Sequence, residues 1–415
     1  MSADRLGVGF VGAGFITREF HAATFERIRD ADVAGVMNPT VSKAEDVADA
    51  CREAGSGDPI ATGDVRELVA HDDVDAVWVT SPNHTRVETV EAIVEEVQQG
   101  DAELSGIAME KPLARTVGEA EQIVDLVEGT DLNHAYLENQ VYMPGVDRMK
   151  ELLWDSAEGA GRPYLARSAE EHAGPHSSWF WDPERQGGGV LSDMMCHSHK
   201  VNRHLLSRPG EDDLEPIAVT CDISTLKWGR DDYAAELAEE YDVDYHESPG
   251  EDYASASVFY ETPEGELVVG EATNSWCFVG SGLRITIELL GPEYSGTINT
   301  LESGTDVFFS DRAAEGAGYV VEKQAADRGK MPVLPQEGAT YGYLDQNEHV
   351  VSAFRAGENA QEDLSDGLEV AKLVAASYLA AERGERVDFD DADLADYVPE
   401  PARGEFDTGP AGIER

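Results

Sequence analysis

The chain opens on short apolar runs that alternate with amphipathic stretches. "RLGVGFV" is a compact apolar run broken by Gly12-Ala13-Gly14, and "FITREFHAATFERI" continues at helical spacing. Two similar units follow: "DVAGVMN" with the helical "SKAEDVADACREA", and "VDAVWVTSPN" with "VETVEAIVEEVQ". Strands alternating with helices predict a parallel sheet with right-handed crossovers, whose ligands bind at the carboxyl ends of the strands. Farther on, "YLARSAEE" alternates as a half-buried strand does. The expected fold class is therefore α/β, with a dinucleotide-binding Rossmann sheet at its start.

A strand, glycine turn and helix in that order give Gly-x-Gly its meaning. Gly12 permits a tight turn, and Gly14 lets the backbone approach a pyrophosphate seated at the helix N-terminus. Thr17 holds the third position, where glycine is usual. Asn38 follows the second strand, where an acidic residue would bind a ribose diol and a nearby Arg would favour a 2′-phosphate. Asn38 meets neither rule, so the cofactor reads as NAD or NADP. Lys43 reads as a surface helix lysine in preference to a 2′-phosphate ligand.

Candidate chemistry enters with two later stretches. Glu110-Lys111-Pro112 ends an apolar strand, in a chain poor in lysine. An ammonium beside a nicotinamide would hold a substrate hydroxyl and share its proton, and partial burial would lower its pKa. "GGGVLSDMMCHSHK", residues 187–200, places Asp193, Cys196, His197 and His199 after a triple glycine. On a regular helix, at about 100° per residue, His197 and His199 point apart, whereas Asp193, His197 and Lys200 share a face. The run then reads as half of an acid–base set and not as a metal site. His172, His176, Trp179 and Trp181 precede it on a loop that offers aromatic faces and hydrogen-bonding groups, suiting a sugar. Trp181 reads as a cover for the sheet, and Asn139 as a further substrate contact.

In family order, Gly12-Ala13-Gly14, Ser81-Pro82-Asn83, Glu110-Lys111-Pro112 and the glycine-rich run with Asp193 and His197 resemble the Gfo/Idh/MocA oxidoreductases. These are relatives of glucose–fructose oxidoreductase and inositol dehydrogenase. The stretch from His349 to Phe389 is similar to that family's closing helices and strand. The resemblance implies a Rossmann domain over 1–132. A second α/β domain over 133–415 would carry a large open, mainly antiparallel sheet that mediates assembly into a homodimer or homotetramer. It also implies cofactor contacts by Gly12, Gly14, Phe15, Ile16, Asn38, Ser81, Pro82, Asn83, Glu110 and Lys111. Catalysis would rest on Lys111, Asp193 and His197, with Asn139, His172, His176 and Trp179 joining them around the substrate. Thr17, Arg86 and Lys200 depart from the family pattern.

Charge narrows the setting. Against 31 basic residues stand 83 acidic ones, a formal net charge of −52, spread along the whole chain. Such a coat suits a salty cytoplasm, since screening acts over about 3 Å at molar ionic strength. It also excludes nucleic acid as a partner, because phosphate contacts need clustered Lys and Arg. Four scattered cysteines give no zinc-ribbon spacing and fit a reducing compartment. No apolar run approaches the roughly 18 residues of a membrane span, and no signal-peptide pattern opens the chain, so the expected location is the cytoplasm. The acidic stretch 231–252 reads as a solvated insertion, and 326–345 as a loop. The expected function is hydride transfer between NAD(P) and a secondary alcohol or ketone of a sugar, cyclitol or sugar-derived substrate. The alternatives are a cofactor- and sugar-sensing protein without turnover, or a nicotinamide-assisted glycosidase.

Overall fold

The computed structural model describes residues 5–211, 213–280, 282–302, 306–309, 320–321, 324–325, 329–332, 336–389 and 393–408. The chain divides into two compact units, Met1–Pro144 with Gln336–Ala371, and Gly145–Pro335 with Lys372–Arg415. It is an α/β fold: a Rossmann-like parallel sheet followed by a mixed, mostly antiparallel one.

The first unit holds six strands, β1 (Leu6–Val11), β2 (Ala31–Met37), β3 (Ile60–Thr62), β4 (Ala76–Val79), β5 (Gly106–Glu110) and β6 (Asn133–Leu137). All pair in parallel, in the order β3-β2-β1-β4-β5-β6. The order reverses beside β1, which puts the Gly12 turn at the switch point where dinucleotides bind such sheets. β1, β4 and β5 are buried along their whole length, as strands covered on both faces must be.

Two features of this unit differ from the expected boundary after residue 132. β6 pairs with β5 and completes the sheet. The segment 336–371 also returns to this unit, and its helix Tyr343–Ala356 brings Phe354 within 5.8 Å of the Trp78 ring centroid. Phe10, Phe25, Trp78 and Phe354 form the aromatic part of one core, each contributing about 1.5–3 kcal/mol by burial. Of the stretch 326–345, expected as a loop, residues 326–328 and 333–335 lie outside the described residues. The rest carries the strand Gly329–Pro332 and is helical over Glu337–Thr340 and from Tyr343 onward.

The second unit is built on a seven-stranded sheet. β7 (Leu165–Glu171), β8 (Glu215–Ser224), β9 (Tyr253–Glu261), β10 (Leu267–Ser275), β11 (Arg284–Leu290), β12 (Ser295–Asn299) and the short strand Val387–Asp388 run in the order β12-β11-β7-β10-β9-β8, with Val387–Asp388 last. Only β7 and β10 pair in parallel. Burial alternates along β9, β10 and β11, so one face is covered and the other stays partly open. The helix Cys196–Leu206 lies on the covered face, where Asn202 Nδ2 donates to the Glu271 carbonyl at 2.9 Å.

Candidate functional site

In the first unit the glycine turn is held from three sides. Gly12 has φ +114°, and a Cβ there would lie 3.0 Å from the Thr80 carbonyl carbon, so glycine is required twice over. Gly12 N donates to Met37 O at 2.8 Å, and Ala13 N donates to Asn38 Oδ1 at 3.3 Å. Thr17, the departure in the turn, is buried: its hydroxyl donates to Gly12 O at 2.9 Å and pairs with Thr80 Oγ1 at 2.8 Å. The threonine thus fastens the turn that a third glycine would only make room for. Gly14 is exposed, and a Cβ there would meet nothing within 4 Å. Phe15 packs edge-on against Phe20, half-buried beside Ile16. The helix then begins with a π-helical turn, Thr17–His21, a feature that recurs at functional sites.

The Lys111 turn rests on two buried groups, His21 and Arg86. Glu110 is buried at the end of β5, where its Oε1 meets His21 Nε2 at 2.8 Å and its Oε2 accepts from Lys111 N at 2.9 Å. Burial works to raise the Glu110 pKa. The His21 hydrogen bond and the His21, Lys111 and Arg86 charges outweigh it and hold the carboxyl below its usual range. His21 is fully buried, and its Nδ1 lies 3.2 Å from Asn347 Oδ1, which also accepts from Trp78 Nε1 at 3.0 Å. Arg86, the second departure, is buried too. Its guanidinium donates to Ser81 O at 3.0 Å, to Glu110 O at 2.5 Å and to Pro112 O. One cation therefore ties the Ser81-Pro82-Asn83 turn to the Glu110-Lys111-Pro112 turn. Asn83 is buried, Pro82 half-buried, and Ser81 Oγ accepts from Thr85 Oγ1 at 3.1 Å. Lys111 itself is half-buried. Asn139 is buried, its Nδ2 donating to Tyr341 O at 2.7 Å.

In the second unit Asp193 and His197 lie on one helical run and are both buried. The run begins with a π-helical turn, Leu191–Met195, before the α-helix Cys196–Leu206. A regular-helix wheel therefore does not transfer to Asp193, because the π turn is wider. His199 points to Ser377 Oγ at 3.0 Å, and burial pulls its pKa down to about 3, so it is a neutral core histidine. Cys196 Sγ donates to Asp193 O at 3.3 Å. Lys200 is buried, and with Lys150 it adds to the burial that holds the His204 pKa well below its usual value. Among the described residues no three His, Cys, Asp or Glu side chains gather to hold a metal ion.

The loop after β7 has a buried anchor and an open tip. His172 is fully buried, its Nδ1 accepting from Gly174 N at 3.0 Å. Trp181 meets Trp228 and Trp276 edge-on at 4.9 and 5.1 Å. Trp179 stacks on Phe180 with centroids 3.8 Å apart, and exposed His176 lies 6.3 Å from Phe180.

Comparison with known proteins bears on both units. Residues 6–135 match the family model described as "Oxidoreductase family, NAD-binding Rossmann fold", and residues 146–293 match the GFO/IDH/MocA C-terminal domain. The chain belongs to the Gfo/Idh/MocA family. Its Gfo/Idh/MocA relatives include the levoglucosan dehydrogenase of Pseudarthrobacter phenanthrenivorans, 27% identical over 49% of this chain and 52% of that protein. The 1,5-anhydro-D-fructose reductase of Ensifer adhaerens is 30% identical over 54% of this chain and 62% of its own. The chain thus spans little more than half the length of these curated Gfo/Idh/MocA relatives. Among solved structures, GenD2 from gentamicin A biosynthesis in complex with NAD superposes with a TM-score of 0.74 at 24% identity, covering 94% of this chain and 97% of that one. Levoglucosan dehydrogenase in complex with NADH and levoglucosan gives 0.69 at 22%, covering 93% and 99%. At this identity the two structures show the shared Gfo/Idh/MocA fold.

Proposed function

We propose that the chain is an NAD(P)-dependent oxidoreductase. It moves a hydride between the nicotinamide and a secondary alcohol or ketone of a sugar, cyclitol or sugar-derived substrate. The observation that carries this reading is the glycine turn at the sheet's switch point. Gly12 there has a backbone no other residue adopts cheaply, and the place of a Gly14 side chain is open. That arrangement fits a pyrophosphate held by backbone N–H groups. Relatives named for levoglucosan and anhydrofructose support a carbohydrate substrate.

Gly12, Gly14, Phe15 and Ile16 would hold the pyrophosphate and Asn38 the ribose, with Ser81, Pro82, Asn83 and Glu110 lining the remainder. The nicotinamide supplies the hydride acceptor or donor when bound. Oxidation releases the hydroxyl proton, which Lys111 or His197 takes, while Asp193 orients the substrate and tunes His197. Exposed His176 and half-buried Trp179 would face a sugar. Asn139 and His172 act through the backbone groups they hold. The deciding experiment is purification in molar potassium chloride, followed by nicotinamide absorbance with a panel of sugars and polyols. Turnover with at least one is expected; tight cofactor binding without turnover on any would favour a sensor instead.

Two substitutions separate fold from cofactor. Gly12→Ala is expected to cost about 1–3 kcal/mol of stability, by forcing a side chain into the left-handed region against Thr80. Gly14→Ala is expected to leave the melting temperature nearly unchanged while weakening NAD(P) binding at least about tenfold, about 1.4 kcal/mol. Calorimetric melting and fluorescence titration read the two effects; equal loss of binding and stability in Gly14→Ala would count against the assignment.

The wider setting belongs to the same proposal. No helix among the described residues is long and apolar enough to cross a membrane. The scattered cysteines and the acidic coat support a cytoplasm of high salt, and the partly open sheet face supports a homodimer or homotetramer formed there. Raising potassium chloride from about 0.1 M to about 1 M shortens the screening length from about 10 Å to about 3 Å. The melting temperature is expected to rise over that range, and an unchanged value would remove the salt reading.

A further inference from the structure

The acidic stretch 231–252 is amphipathic along its helix Asp231–Tyr241, with its acidic side chains exposed, but its last two residues are enclosed. Glu251 and Asp252 are both fully buried. Asp252 accepts from the backbone N–H groups of Leu226, Lys227 and Trp228 at 2.7–2.8 Å, which fixes the loop after β8. Glu251 reaches the start of the helical run that carries Asp193 and His197. Its Oε1 accepts from Leu191 N at 2.9 Å and Gly189 N at 3.0 Å, and its carbonyl accepts from Val190 N at 3.0 Å. Tyr378 Oη donates to Glu251 Oε1 at 2.6 Å and accepts from Ser192 N at 3.2 Å and Gly189 N at 3.0 Å. Four successive N–H groups, 189 to 192, therefore meet two residues from distant parts of the chain. These are the groups that a helix start leaves without intrahelical partners. A Cβ at Gly189 would collide with Glu251, so the approach also requires the glycine.

We infer that Glu251 and Tyr378 are positioning residues that set the register of the first helical turn, and with it the placement of Asp193 and His197. The catalytic meaning of that placement rests on the oxidoreductase reading above; the clamp itself does not. A carboxylate at a helix start is electrostatically favoured, yet this one is enclosed. Burial pushes the Glu251 pKa up to about 7 against the pull of the Tyr378 hydroxyl and the Leu191 and Gly189 N–H groups. The titratable groups around it are Tyr378, Tyr245, Cys221 and Asp252. Burial raises the first three above their usual values, so they stay neutral near pH 7. The Asp252 carboxylate is occupied by its three N–H donors. Glu251 then holds its proton in the native state between about 4.5 and 7. Its contribution to stability is fully present below about 4.5 and lost as pH rises through about 7.

The test uses Glu251→Gln, Tyr378→Phe and the double variant of the whole protein. Amide hydrogen exchange over residues 187–197 is expected to quicken about tenfold in each single variant, with cofactor affinity unchanged and kcat about tenfold lower. The double variant should fall short of the product of the singles, since both act on the same N–H groups. Glu251→Gln, fixed neutral, should also lose the fall in stability between pH 5 and 8. Wild-type exchange and wild-type pH dependence in the variants would overturn the clamp, as would wild-type kcat despite faster exchange. If Glu251→Gln does not fold, Tyr378→Phe decides alone. A wild-type protein without turnover would count against the oxidoreductase reading, while the exchange and pH arms would still decide the clamp.

Discussion

Replacing Lys111 by alanine is expected to lower kcat for the proposed oxidation by about 10²–10⁴-fold, the usual worth of a positioned proton-transfer group. The fold should survive, because the backbone of the turn is held by other groups. Lys111 N is held by Glu110 Oε2, and the carbonyls of Glu110 and Pro112 are held by Arg86. The side chain is only half-buried, so its removal leaves no large cavity. Steady-state kinetics with parallel cofactor titration checks the expectation: kcat falls by far more than cofactor affinity. An unchanged kcat would pass the proton to another residue, and His197→Ala in the same assay would show whether it is that one.

The second large effect lies on stability. His21→Ala removes the partner of Glu110 and leaves a buried carboxylate oxygen short of a hydrogen bond, a change that costs about 1–3 kcal/mol or more. It also deprives Asn347 of a neighbour in the network that reaches Trp78 Nε1 and Thr24 Oγ1. Because the Glu110 pKa is held below its ordinary 4.5, the carboxylate contributes stability that is present above about 4.5. That contribution is lost as pH falls through the lowered value. Urea unfolding from pH 3 to 7 checks both parts. The wild-type midpoint should fall on the acid side, and the variant should start lower with a weaker acid dependence. A variant as stable as wild type would show that Glu110 finds compensation from Arg86 and Lys111 alone.

The Rossmann half was readable because its signals are local. A strand, a glycine turn and a helix sit next to one another in sequence, and parallel strands covered on both faces write themselves as unbroken apolar runs. What could not be read depends on partners far away. His21 looks like any polar residue at helical spacing; only its place between Phe20 and Phe25, both buried, marked the inward face. Arg86 lies in an amphipathic helix among acidic residues, and nothing beside it announces four carbonyls from other turns. Glu251 stands in a chain with 83 acidic residues, where one more carboxylate is no signal. The π-helical turns at Thr17–His21 and Leu191–Met195 were hidden for another reason: apolar periodicity reports the faces of a helix, not the bonding of a single turn.

The return of residues 336–371 to the first unit has a bearing on synthesis. A ribosome that has released residue 144 has made all six strands of the parallel sheet, but not Asn347, which bonds His21 and Trp78, nor Phe354, which closes the aromatic core. The nascent sheet must wait through nearly two hundred further residues, at about 5–20 residues per second, with that face uncovered. Residues 1–144 alone are therefore not a self-sufficient cofactor domain. A fragment cut after Pro144 should be chaperone-dependent or insoluble, and a fusion joining 1–144 directly to 336–371 is the smallest piece with its core complete.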